Sequence, residues 1–126
     1  MIFLEADEWL GVSLASTGDG VHCRCSVAPF LGGLEDLLGY VAFPKTVEWD
    51  VLVAPADIAR IVKQLSVYNT SSDPVTVLMQ IVKTNTGTIC RIPGVQLPPG
   101  WSLELEDRGR SLLDANGHPV TLAYAS

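Results

Sequence analysis

The sequence predicts an all-β fold: a jelly-roll-like antiparallel β-sandwich with room for one short helical turn. Three observations point there. Short apolar runs recur from one end of the chain to the other, Gly, Pro, Asn and Asp punctuate them at close intervals, and several runs are rich in β-branched residues or alternate apolar with polar positions. A chain of 126 residues suits one sandwich domain spanning residues 1–126. At this size folding buries about two-thirds of the surface of the unfolded chain, enough for a core without staples.

The elements follow in order. "IFLEA" (2–6) and "WLGVSLA" (9–15) open the series, and "STGDG" (16–20) is a turn in which Asp and Gly supply the required backbone conformations. "VHCRCSVA" (21–28) is a strand with Val21, Cys23 and Cys25 on one face and His22 and Arg24 on the other. "PFLGGLEDLLGY" (29–40) reads as a loop in which "LEDLL" forms one helical turn. "TVEWDVLVAP" (46–55) alternates, with Val47, Trp49, Val51 and Val53 expected on one face. Ile58, Ile61, Val62 and Leu65 match a helix template, and Pro55 suits a helix start, but the Ser66-Val67-Tyr68 run favours a strand over residues 60–69. "NTSSDP" (69–74) followed by "VTVLMQIV" (75–82) then reads as a hairpin. "GTICRI" (87–92), "WSLELE" (101–106), "RSLLD" (110–114) and "PVTLAY" (119–124) complete the strands.

Composition narrows the function classes. The net charge of −6 and pI near 4.6 oppose binding to phosphate backbones, so no nucleic-acid partner is expected. No apolar run reaches the length of a membrane span, and the acidic start, with Glu5, Asp7 and Glu8, lacks the charge pattern of a signal peptide. Three cysteines, an odd number, argue against a disulfide framework, and synthesis in a cytoplasm is the expectation. Hydrophobic residues make up 48% and mean hydropathy is +0.29, a high apolar load that implies either an unusually complete core or apolar surface covered by other subunits.

The cluster "HCRC" raises a metal or redox site. Strand alternation sends His22 away from both sulfurs, and Cys90 and His118 stand alone in sequence, so buried thiols acting as small hydrophobes are the reading adopted. "TGDG" and "DANG" are turns that do not continue into a calcium loop, and Glu104 and Glu106 alternate with Leu103 and Leu105 as one face of a strand. No nucleophile elbow, phosphate loop or dinucleotide fingerprint occurs, so neither an enzyme nor a cofactor is expected. Trp9, Trp49 and Trp101 are assigned to packing or subunit contacts, with glycan stacking as the alternative.

Three segments carry a resemblance. "RIVKQLSVYNTSSDPVTVLMQI" resembles a recurrent pattern in small structural proteins of tailed phages: an apolar strand ending in Ser-Val-Tyr-Asn, a polar turn, then a Val/Thr-rich strand. "VQLPPGWSLELEDRGRSLLDANG" and "MIFLEADEWLGVSLA" are similar to that family's downstream segment and its start, and the resemblance is weakest between residues 28 and 45. It implies a jelly-roll-like virion component, and it brings no catalytic residues. The expected role is non-enzymatic: a capsid decoration (cement) protein that stabilises the head, located in the virion. A tail, collar or baseplate component, or a glycan-binding adhesion module using Trp9, Trp101 or Tyr124, is the alternative. The expected partners are the chain itself, as a symmetric trimer or dimer, and the major capsid protein or a tail protein. Residues 1–10 are expected to form an N-terminal arm, and Phe3, Leu4, Trp9, Leu10, Trp101 and Tyr124 to lie in interfaces.

Overall fold

The computed structural model describes residues 2–32, 36–106 and 109–120, and among them every regular element is an antiparallel strand. The strands are β1 (Ile2–Leu4), β2 (Glu8–Leu14), β3 (Val21–Pro29), β4 (Leu38–Ala42), β5 (Asp50–Val53), β6 (Arg60–Asn69), β7 (Val75–Lys83), β8 (Thr88–Leu97), β9 (Ser102–Glu106), β10 (Gly109–Leu113) and β11 (Pro119–Val120). A seven-stranded sheet runs β11-β10-β9-β6-β3-β4, with β1 also on β6, and a four-stranded sheet runs β5-β2-β7-β8. The two sheets pack face to face as an all-β sandwich.

β6 is the hub of the larger sheet. One of its edges pairs with β3 from Arg60 to Asn69, while β1 takes residues 60–62 of the other edge and β9 takes residues 64–68. Ser26 pairs with Gln64 and Val27 with Val62, which leaves Lys63 as an extra, bulged residue. The bulge reverses the side-chain parity of β6. Val62, Leu65 and Val67 therefore all point inward and are buried, whereas Gln64, Ser66 and Tyr68 point outward. The helix-like spacing of Ile61, Val62 and Leu65 is thus a product of a bulged strand, as the strand reading of residues 60–69 requires.

The core lies between the sheets. β3 contributes Val21, Cys23, Cys25 and Val27 on its inner face, in the alternation expected from sequence. They meet Leu10, Val12 and Leu14 of β2 and Val77 and Met79 of β7, each Leu or Val of this kind contributing about 1.5–3 kcal/mol by leaving water.

Two buried polar side chains close the ends of the sandwich. Arg60, 5% exposed, faces inward at the start of β6. Its guanidinium donates to the carbonyls of Ile58 (3.2 Å), Ala54 (2.6 Å), Glu5 (3.2 Å), Ala6 (3.5 Å) and Glu8 (3.0 Å), tying the β1–β2 and β5–β6 connections together. Asn69, fully buried at the other end, donates from Nδ2 to the carbonyls of Asp73 (2.8 Å) and Leu97 (3.0 Å). Its Oδ1 accepts from the Ser71 amide (2.9 Å) and hydroxyl (2.7 Å).

Several expectations change. "NTSSDP" is not a hairpin turn: β6 and β7 lie in different sheets, and the turn anchored by Asn69 carries the chain from one to the other. The hairpin is the next one, β7 to β8, closed by Gly87 at a φ of 71° whose amide donates to the Lys83 carbonyl. Residues 38–40, expected as loop, belong to edge strand β4 beside β3; the expected helical turn over "LEDLL" falls partly outside the described residues. Val47, Trp49, Val51 and Val53 do not share a face. Leu52 is bulged out of register with β2, so Val51 is exposed while Val53 is fully buried. Residues 2–10 are not an arm: they form β1 and the start of β2, with Leu4 and Leu10 fully buried in the chain's own core.

Candidate functional site

The outer face of the larger sheet is built by strand register into three cross-strand rows. The first joins His22, Tyr68 and Ser102; the second Val41, Arg24, Ser66, Glu104 and Ser111; the third Gly39, Ser26, Gln64 and Glu106. Small residues make the floor and large ones the rim. Ser66 Oγ donates to Glu104 Oε1 at 2.7 Å and fixes that carboxylate, while Arg24 is exposed and takes part in no ion pair among the described residues. His22 meets Phe43 edge to face, with ring centroids 5.0 Å apart and planes at 88°. Tyr68 stands 42% exposed beside them.

Three shallow depressions share these side chains. One of about 430 Å³ lies around Arg24, Gly39 and Gln64, and one of about 320 Å³ lies between Arg24, Tyr68 and Glu104. A third, about 250 Å³, continues past His22 and Phe43 to Gly20 and Lys45. No protein-family model, curated protein or solved structure matches this chain. The face offers donors from Arg24 and Gln64, acceptors from Glu104 and Glu106, and an aromatic wall.

The outer face of the smaller sheet is different in character. Trp9 folds back along β2 so that its ring covers Gly11, where a Cβ would collide with Cζ3 of the indole. A side chain at position 11 would have to displace the ring. Val51 on β5 and Ile89 on β8 flank this centre and are exposed, and Leu78 and Val82 of β7 share the same face, half-buried.

The remaining reactive groups do not converge. Cys23 and Cys25 are free, buried thiols pushed up to about 12 by loss of solvent, with the neighbouring Cys25 and Asp50 adding to the effect at Cys23. His22 lies on the opposite face of β3, and Cys90 is exposed on edge strand β8. Among the described residues no three His, Cys, Asp or Glu side chains stand close enough to hold a metal ion. Lys83 bridges Glu5 and Asp7, and this contact with Lys83, reinforced by the Asn85 amide, holds the Asp7 carboxyl below its ordinary value. Asp114 is lowered by the amides of His118 and Asn116, which its Oδ1 accepts in the turn after β10.

Of the six residues expected in interfaces, the five among the described residues do not form one surface. Phe3 is exposed and packs edge to face on Phe30, with centroids 5.4 Å apart, whereas Leu4 and Leu10 are core and cannot reach a partner. Trp9 lies on the smaller sheet, and Trp101 packs against the core beside Asn69. Phe3 pairs with Ile61 and the Trp101 carbonyl with the Asn69 amide, so the two aromatics sit about 26 Å apart along β6. Tyr124 lies outside the described residues. Sequence reasoning missed Tyr68, Ser66 and Glu104 as neighbours of His22 and Arg24. The one available signal was the outward parity of His22 and Arg24, and their partners emerge only with the register.

Proposed function

We propose that the protein is a non-enzymatic virion structural protein of a tailed phage, a capsid decoration protein that stabilises the head through subunit contacts. The resemblance of three sequence segments to small phage structural proteins supports the phage assignment. The observation that carries the assembly role is the outer face of the smaller sheet, where the Trp9 ring spread over Gly11 is flanked by exposed Val51 and Ile89. An indole flanked by aliphatic groups is the type of anchor that dominates interface energetics. The occupant of this face is a second copy of the chain, in a symmetric trimer or dimer, and the acidic charge suits a position outside a shell filled with DNA.

Light scattering at micromolar concentration tests the self-association. A particle larger than the 13.5 kDa chain is expected, reduced to the monomer by Val51→Lys or Ile89→Lys without loss of the folded signal. A strictly monomeric parent protein refutes it. Immunogold electron microscopy of particles tests the location: label on the shell supports decoration, and label on the tail overturns it.

A further inference from the structure

We infer that the outer face of the larger sheet is a binding trough for a neutral oligosaccharide. The inference is independent of the self-association proposed above, which uses the opposite sheet. Three features carry it.

The trough is long, a row of three adjoining depressions. Its first two depressions share Arg24 and Ser66, and the last two share His22. From Ser26 to Gly20 it follows β3 for about 20 Å, the reach of an extended ligand rather than of a single sugar ring.

The chemistry of its walls matches a polyhydroxylated ring. Tyr68 and His22 offer ring faces and edges to the apolar C–H side of a sugar, and Arg24 and Gln64 stand ready as donors beside the acceptor Glu104. Glu104 is held by Ser66 in advance of any ligand, which lowers the ordering cost of binding. Charges of both signs line the trough: Arg24 and Lys45 stand against Asp19 and Glu104, and Lys45 is already within 3.7 Å of Asp19. Such a surface favours neither a polyanion nor a polycation.

An extended peptide fits less well. It would bind by adding to a sheet edge, but the strands that floor most of the trough, β3, β6 and β9, are each paired on both sides and present side chains there; only β4, at its margin beside Gly39 and Val41, has an open edge. A sugar needs no backbone partner.

The full chain is screened on an array of neutral and acidic oligosaccharides and of peptides. Amide chemical-shift titration with maltotetraose, cellotetraose and chitotetraose at millimolar concentration follows. A neutral oligosaccharide is expected to bind and to shift amides of β3, β6 and β9. Tyr68→Ala and Arg24→Ala are each expected to weaken binding about tenfold. Both side chains are exposed, so the unfolding temperature stays at the parent value. The inference is overturned if no neutral oligosaccharide binds, if only acidic glycans or peptides bind, if the shifts map elsewhere, or if both variants bind as tightly as the parent.

Discussion

Replacing Arg60 with Ala should be among the most damaging single changes in the protein. The guanidinium is buried, all five of its acceptors are main-chain carbonyls, and none of the ion pairs among the described residues involves it. The bonds to Ala54, Glu8 and Glu5 bridge two connections far apart in sequence. At about 1.5 kcal/mol each, the low end for a charged donor, they set an upper figure of about 4–5 kcal/mol. Solvation regained by the loop carbonyls, and relief of the cost of burying the cation, reduce the expected loss to about 3–4 kcal/mol. Urea unfolding should show a midpoint lower by about 2 M with an unchanged slope. Arg60→Lys keeps the charge but not the planar fork, and should lose about 2–3 kcal/mol. Amide exchange should quicken at Ala56 and Glu8, whose amides bond within the clamped loops, before it does in β3. If the Lys variant, or the Ala variant, lies within 1 kcal/mol of the parent, the guanidinium is not the clamp described here.

Asn69→Asp should destabilise by about 2–4 kcal/mol, because it turns a carboxylate oxygen toward the carbonyls of Asp73 and Leu97 in a site without solvent; chemical denaturation near neutral pH measures it, and a neutral effect would show that the turn is held by other bonds. In the native protein a thiol reagent should label Cys90 rapidly, and Cys23 and Cys25 only after unfolding; rapid labelling of all three would contradict the burial of the pair. Cys23→Ala should cost about 1 kcal/mol through the small void it leaves, read from the same denaturation curves. The Asp7 carboxyl is lowered by folding, so its contribution is complete above the unfolded value of about 3.9 and is lost as pH falls through the lower folded value. Asp7→Asn should accordingly flatten the loss of stability below about pH 4, and an unaltered acid profile would remove the Lys83 contact from the account.

Sequence pattern revealed those strands whose two faces differ. β3 was legible from the alternation of Val21, Cys23 and Cys25 with His22 and Arg24, since a strand half in the core must alternate. β4 was not, because an edge strand with exposed Leu38, Gly39 and Val41 has little face to encode. Bulges at Lys63 and Leu52 broke the two-residue period, so one strand imitated a helix and another promised a shared face it does not have. The hairpin expectation at residues 69–74 failed because a polar turn is equally suited to returning within a sheet or crossing to the other one. The side-chain bonds of Asn69 decide that choice, and they connect residues as distant as Leu97. The trough was illegible for the same reason: Arg24, Ser66 and Glu104 become neighbours through register, a property of pairs of strands and of no single segment.

The end-to-end sharing of one β6 edge by β1 and β9 bears on how the chain matures during synthesis. β1 leaves the ribosome first but has no partner until β6 follows, and half of β6 then stays unzipped until β9 emerges. The smaller sheet is delayed on one side only, since β2 can take up β5 but its other edge waits for β7. A nascent chain halted before Ser102 would therefore carry a bare strand margin in the centre of its larger sheet, the kind of template on which unfinished copies stick to one another. The last third of the chain acts as the closing seam of the sandwich, and ribosome-stalled or truncated forms should be the aggregation-prone species of this protein.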